Sequence, residues 1–192
     1  MKKFVLFFGC MLTLFMLNSC SYNSLVSLDE QVKAQWGQVQ NAYKRRSDLI
    51  PNLVATVKGA ANFEQKTLTD VIKARSEATS IKIDPSNLTP EKLQEFQAKQ
   101  GQLSQALGRL LMVTENYPQL RATESFRELQ SQLEGTENRI SVERERFNQV
   151  TQEYNTKVRS FPSNISANMF HFKEKPYFQA EPGAQNAPQV QF

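Results

Sequence analysis

Apolar residues recur at helical spacing along most of this 192-residue chain. In the first long segment, from about Tyr22 to about Ile81, most gaps between them are three, four or seven positions, as on one face of an amphipathic helix. The members of this stripe are Leu25, Leu28, Val32, Trp36, Val39, Tyr43, Ile50, Leu53, Val57, Ala61, Leu68 and Val71. A strand would require sustained alternation of apolar and polar residues, which this segment lacks. The spacing therefore predicts long helices.

Pro51 lies inside this first stripe. Proline removes a backbone donor, clashes with the preceding turn and disfavours helical geometry at the residue before it, here Ile50. We therefore expect either a kink or a true break. The sequence leaves two arrangements open: three long helices of which the first is kinked, or four helices with a turn between Arg46 and Pro51.

Two further long helices are expected after this segment. Residues 84–87, Asp-Pro-Ser-Asn, predict a turn, and Thr-Pro at 89–90 is typical of a helix start. The helical pattern stops again at Tyr-Pro, residues 117–118, and the last long helix should run from about 123 to 161. The apolar faces of these helices are expected at Leu93, Phe96, Leu103, Leu107, Leu110, Leu111, Phe126, Leu129, Leu133, Ile140, Phe147, Tyr154 and Val158.

Residues 162–192 differ from the rest of the chain. Four prolines and Gly183 exclude another long helix, while four aromatic residues between 170 and 178 are too many for a solvated linker. We expect this tail to lie extended along the helices as far as about Phe178, with the last dozen residues loose. The predicted fold is thus all-α, with an elongated up-and-down antiparallel bundle of three to four long helices at 20–161 and an extended C-terminal tail.

The N-terminus has the features of a secretory leader. Lys2 and Lys3 precede an almost wholly apolar stretch at 4–17, which is too short to span a membrane comfortably. Leu-Asn-Ser-Cys at 17–20 resembles the bacterial lipoprotein box, in which the cysteine receives a lipid and the leader is removed. We therefore expect residues 1–19 to be a lipoprotein signal peptide and Cys20 to be lipidated. An uncleaved signal anchor is the alternative.

Both alternatives place the remaining chain outside the cytoplasm, on a membrane surface. Ser21 follows the lipidation site where an aspartate could stand. In a double-membraned bacterium this resembles proteins sorted to the outer membrane, on its periplasmic side. In a single-membraned host the protein would lie on the outer face of the cytoplasmic membrane.

Charge and side-chain chemistry exclude several functional classes. Loss of the two leader lysines lowers the formal charge from +4 to +2, and the chain has no block of five or six like charges, so nucleic acid is not an expected partner. Cys10 leaves with the leader and Cys20 is acylated, so no thiol remains for a disulfide or a metal. His171 is the only histidine. We therefore expect no catalytic residues, no metal, no cofactor and no enzymatic activity.

Arg45, Arg46 and Asp48 form the densest charged cluster, beside Pro51. They could present a docking site for an acidic partner or a lipid headgroup. The simpler interpretation is that they cap an exposed turn and pair with acids on a neighbouring helix.

The tail and the last helix contain further candidates. Tyr177 and Phe178 are a second possible contact surface for a partner or lipid, although such aromatics more often lie in a groove. Asn148 and Asn155 stand seven positions apart beside the apolar stripe. We interpret them as residues that fix helix register, in preference to ligand binding.

Several motifs together resemble the LemA family of membrane-associated bacterial proteins. They lie at 22–26 (YNSLV), 45–54 (RRSDLIPNLV), 57–59 (VKG), 74–75 (AR), 115–122 (ENYPQLRA), 133–140 (LEGTENRI), 147–155 (FNQVTQEYN) and 161–164 (FPSN). The resemblance implies a helical bundle, commonly tethered by an N-terminal transmembrane segment, which a lipoprotein-like leader replaces here. It implies no catalytic activity.

We therefore expect a non-enzymatic, lipid-anchored helical scaffold or adaptor of the bacterial cell envelope. Its expected partners are the membrane, through the N-terminal lipid, and either envelope proteins or further copies of itself. A membrane-binding or envelope-remodelling module is the alternative function. An envelope hydrolase acting on peptides or glycans is a third.

Overall fold

A computed structural model describes the backbone of residues 2–59 and 64–179 and the side chains of residues 21–59 and 64–179. Most of these residues are helical and none of them forms a strand, which confirms the predicted all-α fold. The helices are α1 (Lys2–Lys58), α2 (Gln65–Ser80), a short 3-10 turn (Pro85–Asn87), α3 (Pro90–Thr114), α4 (Pro118–Arg121), α5 (Glu124–Arg159) and α6 (Ser163–Met169).

Contacts between the long helices define their directions. Gln35 of α1 donates to Glu143 of α5 over 2.7 Å, and Arg46 of α1 donates to Glu137 of α5 over 2.8 Å. Residue numbers thus rise along α1 as they fall along α5, so these two helices are antiparallel.

The other two long helices complete an up-down-up-down arrangement. Arg75 of α2 bonds Ser47 of α1, whereas Ile83, just beyond the end of α2, accepts from Trp36, so α2 runs antiparallel to α1. Phe96 of α3 lies beside Trp36 of α1, and Ser104 of α3 bonds Arg46 of α1, so α3 runs in the direction of α1. The bundle comprises α1, α2, α3 and α5.

Helix α1 continues through Pro51 to Lys58, so, of the two arrangements that the sequence left open, the one with a turn between Arg46 and Pro51 is wrong. The segment predicted as one stripe from Tyr22 to Ile81 forms two helices, of which α1 ends at Lys58 and α2 begins at Gln65. Ile50 and Leu53, on either side of the proline, are both fully buried. The apolar stripe is therefore preserved across the proline.

A residue from the neighbouring helix compensates for the donor that Pro51 lacks. In a regular helix the N–H at position 51 would bond the carbonyl of Ser47, four residues earlier. Arg75 Nε on α2 donates to that carbonyl over 2.8 Å. Because Ser47 is buried, an unsatisfied carbonyl there would be costly.

The tail at 172–179 runs extended along α5. Asn155 donates through Nδ2 to the Lys175 carbonyl and accepts from the Lys175 N–H, both over 2.8 Å. Asn148 makes the same pair of bonds to Phe178, over 3.0 and 2.8 Å. Seven helical residues and three extended residues both span about 10 Å. The spacing of the two asparagines therefore fits the tail, and the interpretation that they fix helix register is corrected.

An ion pair joins the tail to α1. Lys175 Nζ lies 2.6 Å from Asp29, which also contacts Lys33 over 2.7 Å. Burial acts to raise the pKa of Asp29, but hydrogen bonds from Lys175 and Lys33 outweigh it and hold the pKa below its usual value. Nearby, burial and the charge of Asp29 raise the pKa of Tyr154 to about 12, so its hydroxyl remains a donor to the Lys173 carbonyl.

Some predictions concern residues that the structure does not describe. The backbone of Cys20 belongs to α1, but its side chain lies outside the described set, as do the side chains of the predicted signal peptide at 1–19. The last dozen residues, which the sequence predicts to be loose, also lie outside the described residues. Among the residues that are described, no helix combines the length and apolar character needed to cross a bilayer.

We predict that Arg75→Met lowers the free energy of unfolding by about 1–3 kcal/mol, because it leaves the Ser47 carbonyl without its donor. In a Pro51→Ala background the restored backbone N–H should make the same change markedly less costly. Urea denaturation of the wild type, the two single variants and the double variant, followed by circular dichroism, measures this coupling. Lys73→Met, which removes an exposed cation from the same helix, should change stability by no more than about 0.5 kcal/mol. Equal costs of Arg75→Met in both backgrounds would contradict the compensation.

We predict that acid loosens the tail through Asp29. Because its folded-state pKa is lowered, Asp29 contributes stability above its unfolded-state pKa of about 3.9 and loses it as the pH falls through the lower folded-state value. Trp36, the only tryptophan, stacks on Phe178 at 5.9 Å and reports on the tail by fluorescence. Asp29→Asn should remove the change in Trp36 fluorescence at acid pH. If the change persists in that variant, other carboxylates cause it.

Candidate functional site

A groove of about 420 Å³ lies between α3 and α5, above α1. Tyr43 and Arg46 of α1 form its floor. One wall comes from α3 and is rich in glutamine, while α5 contributes two charged residues and the tail closes one end. The wall residues are Gln94, Gln97, Ala98, Gln100, Gly101, Gln102, Ser104 and Gln105 of α3, Glu137 and Arg144 of α5, and Gln179 of the tail.

Arg46 is the central residue of this floor, and only 2% of it is exposed. One terminal nitrogen donates to Ser104 Oγ over 2.7 Å and to Glu137 Oε2 over 2.8 Å. The other donates to Gln100 Oε1 over 2.8 Å and to the Gln100 carbonyl over 3.3 Å. The guanidinium carbon lies 5.2 Å from the centroid of the Tyr43 ring. Arg46 thus joins α1, α3 and α5.

The network around Arg46 separates two apolar clusters of the core. Ile50, Leu103 and Leu110 belong to the cluster on one side, and Trp36 and Phe147 belong to the cluster on the other. Burial of a charge costs several kcal/mol unless partners compensate, and removal of one partner typically costs about 3–5 kcal/mol. The arrangement therefore fixes how the helices align.

The burial of Arg46 argues against a partner contact at this residue and agrees with the simpler interpretation. Its polar groups are turned towards Glu137 and the α3 side chains, so it pairs with an acid on a neighbouring helix. Arg45 and Asp48, the other members of that cluster, are exposed on α1. Of the three residues in this cluster, Arg46 is therefore buried, and Arg45 and Asp48 remain accessible.

The tail closes the groove at Gln179. The Gln179 carbonyl accepts from Gln97 Nε2 over 3.1 Å and from an Arg144 terminal nitrogen over 2.9 Å. One backbone carbonyl of an extended segment thus bonds both walls of the groove.

Phe178 is buried just before that carbonyl, so its prediction as an exposed contact is corrected. Its ring lies 5.9 Å from that of Trp36 and 5.3 Å from that of Phe147. Arg144 lies over its face at 5.0 Å. Tyr177 is 42% exposed and remains accessible to a partner.

The groove is suited to binding a polypeptide backbone. Primary amides both donate and accept hydrogen bonds, and the opposite charges of Arg46 and Glu137 compensate each other. Among the side chains that the structure describes, no group of three or more His, Cys, Asp or Glu residues could hold a metal ion.

Sequence reasoning missed the glutamines of α3 and the buried Glu143. Gln94, Gln97 and Gln105 recur at helical spacing on α3, which is a detectable signal, but glutamine is also ordinary on an exposed helix face. Glu143 is 1% exposed and accepts from Gln35 and Arg139, each over 2.7 Å. Glu143 lies three residues after Ile140 and four before Phe147, so its position on the apolar stripe of α5 was the available signal.

Comparison with known proteins gives a family match over most of the chain. The LemA family model matches residues 35–192. Magnetosome protein MamQ 2 and Magnetosome protein MamQ 1 of Paramagnetospirillum magneticum are each 26% identical over 178 residues, which cover 84% of this chain and 65% of the relative. Protein LemA of Metamycoplasma hominis is 24% identical over 158 residues, 82% of this chain and 68% of the relative. The chain spans just under two thirds of the length of the magnetosome proteins that it matches.

Proposed function

Because the chain belongs to the LemA family, we propose that it is a membrane-anchored, non-enzymatic helical scaffold or adaptor of the bacterial cell envelope. The family match confirms the resemblance that the sequence motifs predicted. The groove between α3 and α5 is the site at which the adaptor binds its partner. That partner is another envelope protein or a further copy of this chain, and it presents an extended segment.

The observation that carries this proposal is the double hydrogen bond to the Gln179 carbonyl. Gln97 and Arg144, from opposite walls, already bind one carbonyl of an extended chain in this groove. Beyond that point, towards Arg46, the walls continue with Gln105 of α3 and Glu137 of α5. An extended segment of a partner binds in the same way, because its carbonyls and N–H groups meet hydrogen-bond donors and acceptors along the wall.

The anchor is a lipid on Cys20. The charged start, the apolar stretch at 4–17 and the small residue before the cysteine support this assignment. More than one acyl chain gives lasting attachment to a bilayer. The bundle therefore lies outside the cytoplasm, on the periplasmic side of an outer membrane or on the outer face of a single membrane. Outside the groove, three exposed residues are further candidate contacts for a partner: Arg45, Asp48 and Tyr177.

We predict that a photocrosslinker replacing Gln105, in the wall of the groove, captures a specific envelope protein or a second copy of this chain in intact cells. Gly101→Tyr should abolish this adduct, because the added ring fills the groove. Mass spectrometry of the adducts identifies the captured chain.

Gly108→Tyr is the matched control for this experiment. A Cβ at either glycine meets no atom within 4 Å, so both variants should fold equally well. Gly108 lies on the same helix but does not line the groove. An adduct that survives Gly101→Tyr, or that both variants lose equally, would place partner binding elsewhere.

We predict that mass analysis of the protein isolated from membranes finds Cys20 as the first residue, carrying a thioether-linked diacylglycerol. Cys20→Ser should block this modification and leave the chain with its leader attached. A mature protein that begins at Met1, or that carries an unmodified Cys20, would refute lipid anchorage.

A further inference from the structure

Exposed apolar side chains gather at one end of the molecule. Phe161 is 80% exposed and Met169 is 65% exposed, and Tyr22, Ile165 and Phe170 are also exposed. We call these five residues the terminal patch. Single exposed apolar residues are common on proteins, but a contiguous group of large ones indicates an interaction surface.

The terminal patch is held in place by residues buried beneath it. On α6, Ser163, Ser166 and Ala167 face the bundle, whereas Ile165 and Met169, four positions apart, share the opposite face. The short helix therefore presents its apolar residues outward on a fixed support.

Aromatic contacts place this patch beside the start of the mature chain. The Phe170 ring lies 4.6 Å from that of Tyr22, and the Phe172 ring lies 5.9 Å from it. Tyr22 follows Cys20 by two residues on α1. Gln35 of α1 lies opposite Glu143 of α5, and the two helices are antiparallel. The end of α5 therefore also lies beside Tyr22. The patch thus lies at the end of the bundle from which α1 continues into the apolar stretch at 4–17.

Basic side chains border the patch. Arg159 precedes Phe161 and is exposed, with Glu174 at a distance of 3.9 Å. Lys173, beyond Phe170, is also exposed. Aromatic residues flanked by cations are the composition that favours the boundary between lipid headgroups and acyl chains.

We propose that the terminal patch is a membrane-contacting surface that seats the end of the bundle in the headgroup region of the bilayer to which the chain is anchored. The partner is the lipid surface itself. Ile165, Met169 and Phe161 enter the outer acyl region, while Arg159 and Lys173 remain at the level of the phosphates. This second attachment limits the freedom of the bundle to swing about its anchor. The inference rests on the membrane anchorage of the proposed function but adds a contact that anchorage alone does not require.

Photocrosslinking of the purified mature protein, with its native lipid on Cys20, tests this contact in vesicles of phosphatidylethanolamine and phosphatidylglycerol. A photoreactive benzoylphenylalanine replaces Phe161 in one sample and Met112 in the other. Met112 is 68% exposed near the end of α3, at the opposite end of the bundle. We expect several-fold more lipid adduct from position 161 than from position 112, detected by mass spectrometry. Both positions are exposed, so neither replacement disturbs the core, and circular dichroism verifies this.

Three outcomes would overturn the proposal. Equal lipid adducts at the two positions in vesicle-bound protein would show that the patch does not contact the bilayer, while anchorage itself stands. Protein–protein adducts at position 161 that vanish on dilution with lipid would show that a second copy covers the patch. Failure of the protein to associate with vesicles at all would remove the anchorage on which the inference rests.

Discussion

The hydrogen-bonded network of Arg46 is the interaction on which the rest of the structure depends. A buried guanidinium has fixed donor directions, so its bonds to Gln100, Ser104 and Glu137 are satisfied only at one alignment of α1, α3 and α5. Gln100 in turn donates to the Ala78 carbonyl of α2 over 3.1 Å. Apolar heptad-like stripes can slide past one another by a whole repeat at modest cost. A polar layer between two apolar clusters makes such shifts costly, because a shift would leave buried charge without partners.

The same requirement for satisfied polar groups explains how α1 remains continuous. Pro51 deprives the Ser47 carbonyl of its helical donor, and Arg75 supplies a replacement from α2. Two arginines on different helices therefore play related parts. Arg46 binds groups on α3 and α5, whereas Arg75 satisfies a single carbonyl of α1. In both cases a cationic side chain from one helix completes the hydrogen bonding of another, which joins the helices by more than apolar contact.

Side-chain amides likewise satisfy the backbone hydrogen-bonding groups of the extended tail. Asn148 and Asn155 each bind both backbone groups of one tail residue, and Gln97 binds the carbonyl of Gln179. An amide presents a donor and an acceptor side by side, as a neighbouring strand would, so a helix surface with such residues can hold an extended segment. This recognition depends on backbone groups and little on side-chain identity. A groove of this kind suits an adaptor that binds partner segments, and the terminal patch suits a protein whose other contact is with lipid.

The sequence by itself determined the all-α fold and several element boundaries. The predicted cap Thr89 accepts from the Lys92 N–H, and the predicted start near 123 or 124 agrees with the cap Thr123 and first residue Glu124 of α5. These features are local, since apolar spacing and capping depend on residues within a few positions. The tertiary structure decided the continuity of α1, the burial of Arg46 and Phe178, and the attachment of the tail by two asparagines. Arg46 stands on the apolar stripe, three residues after Tyr43 and four before Ile50, so its burial has a local signal. The partners that satisfy Arg46, and those of the other features, lie many residues away in sequence, so no local pattern identifies them.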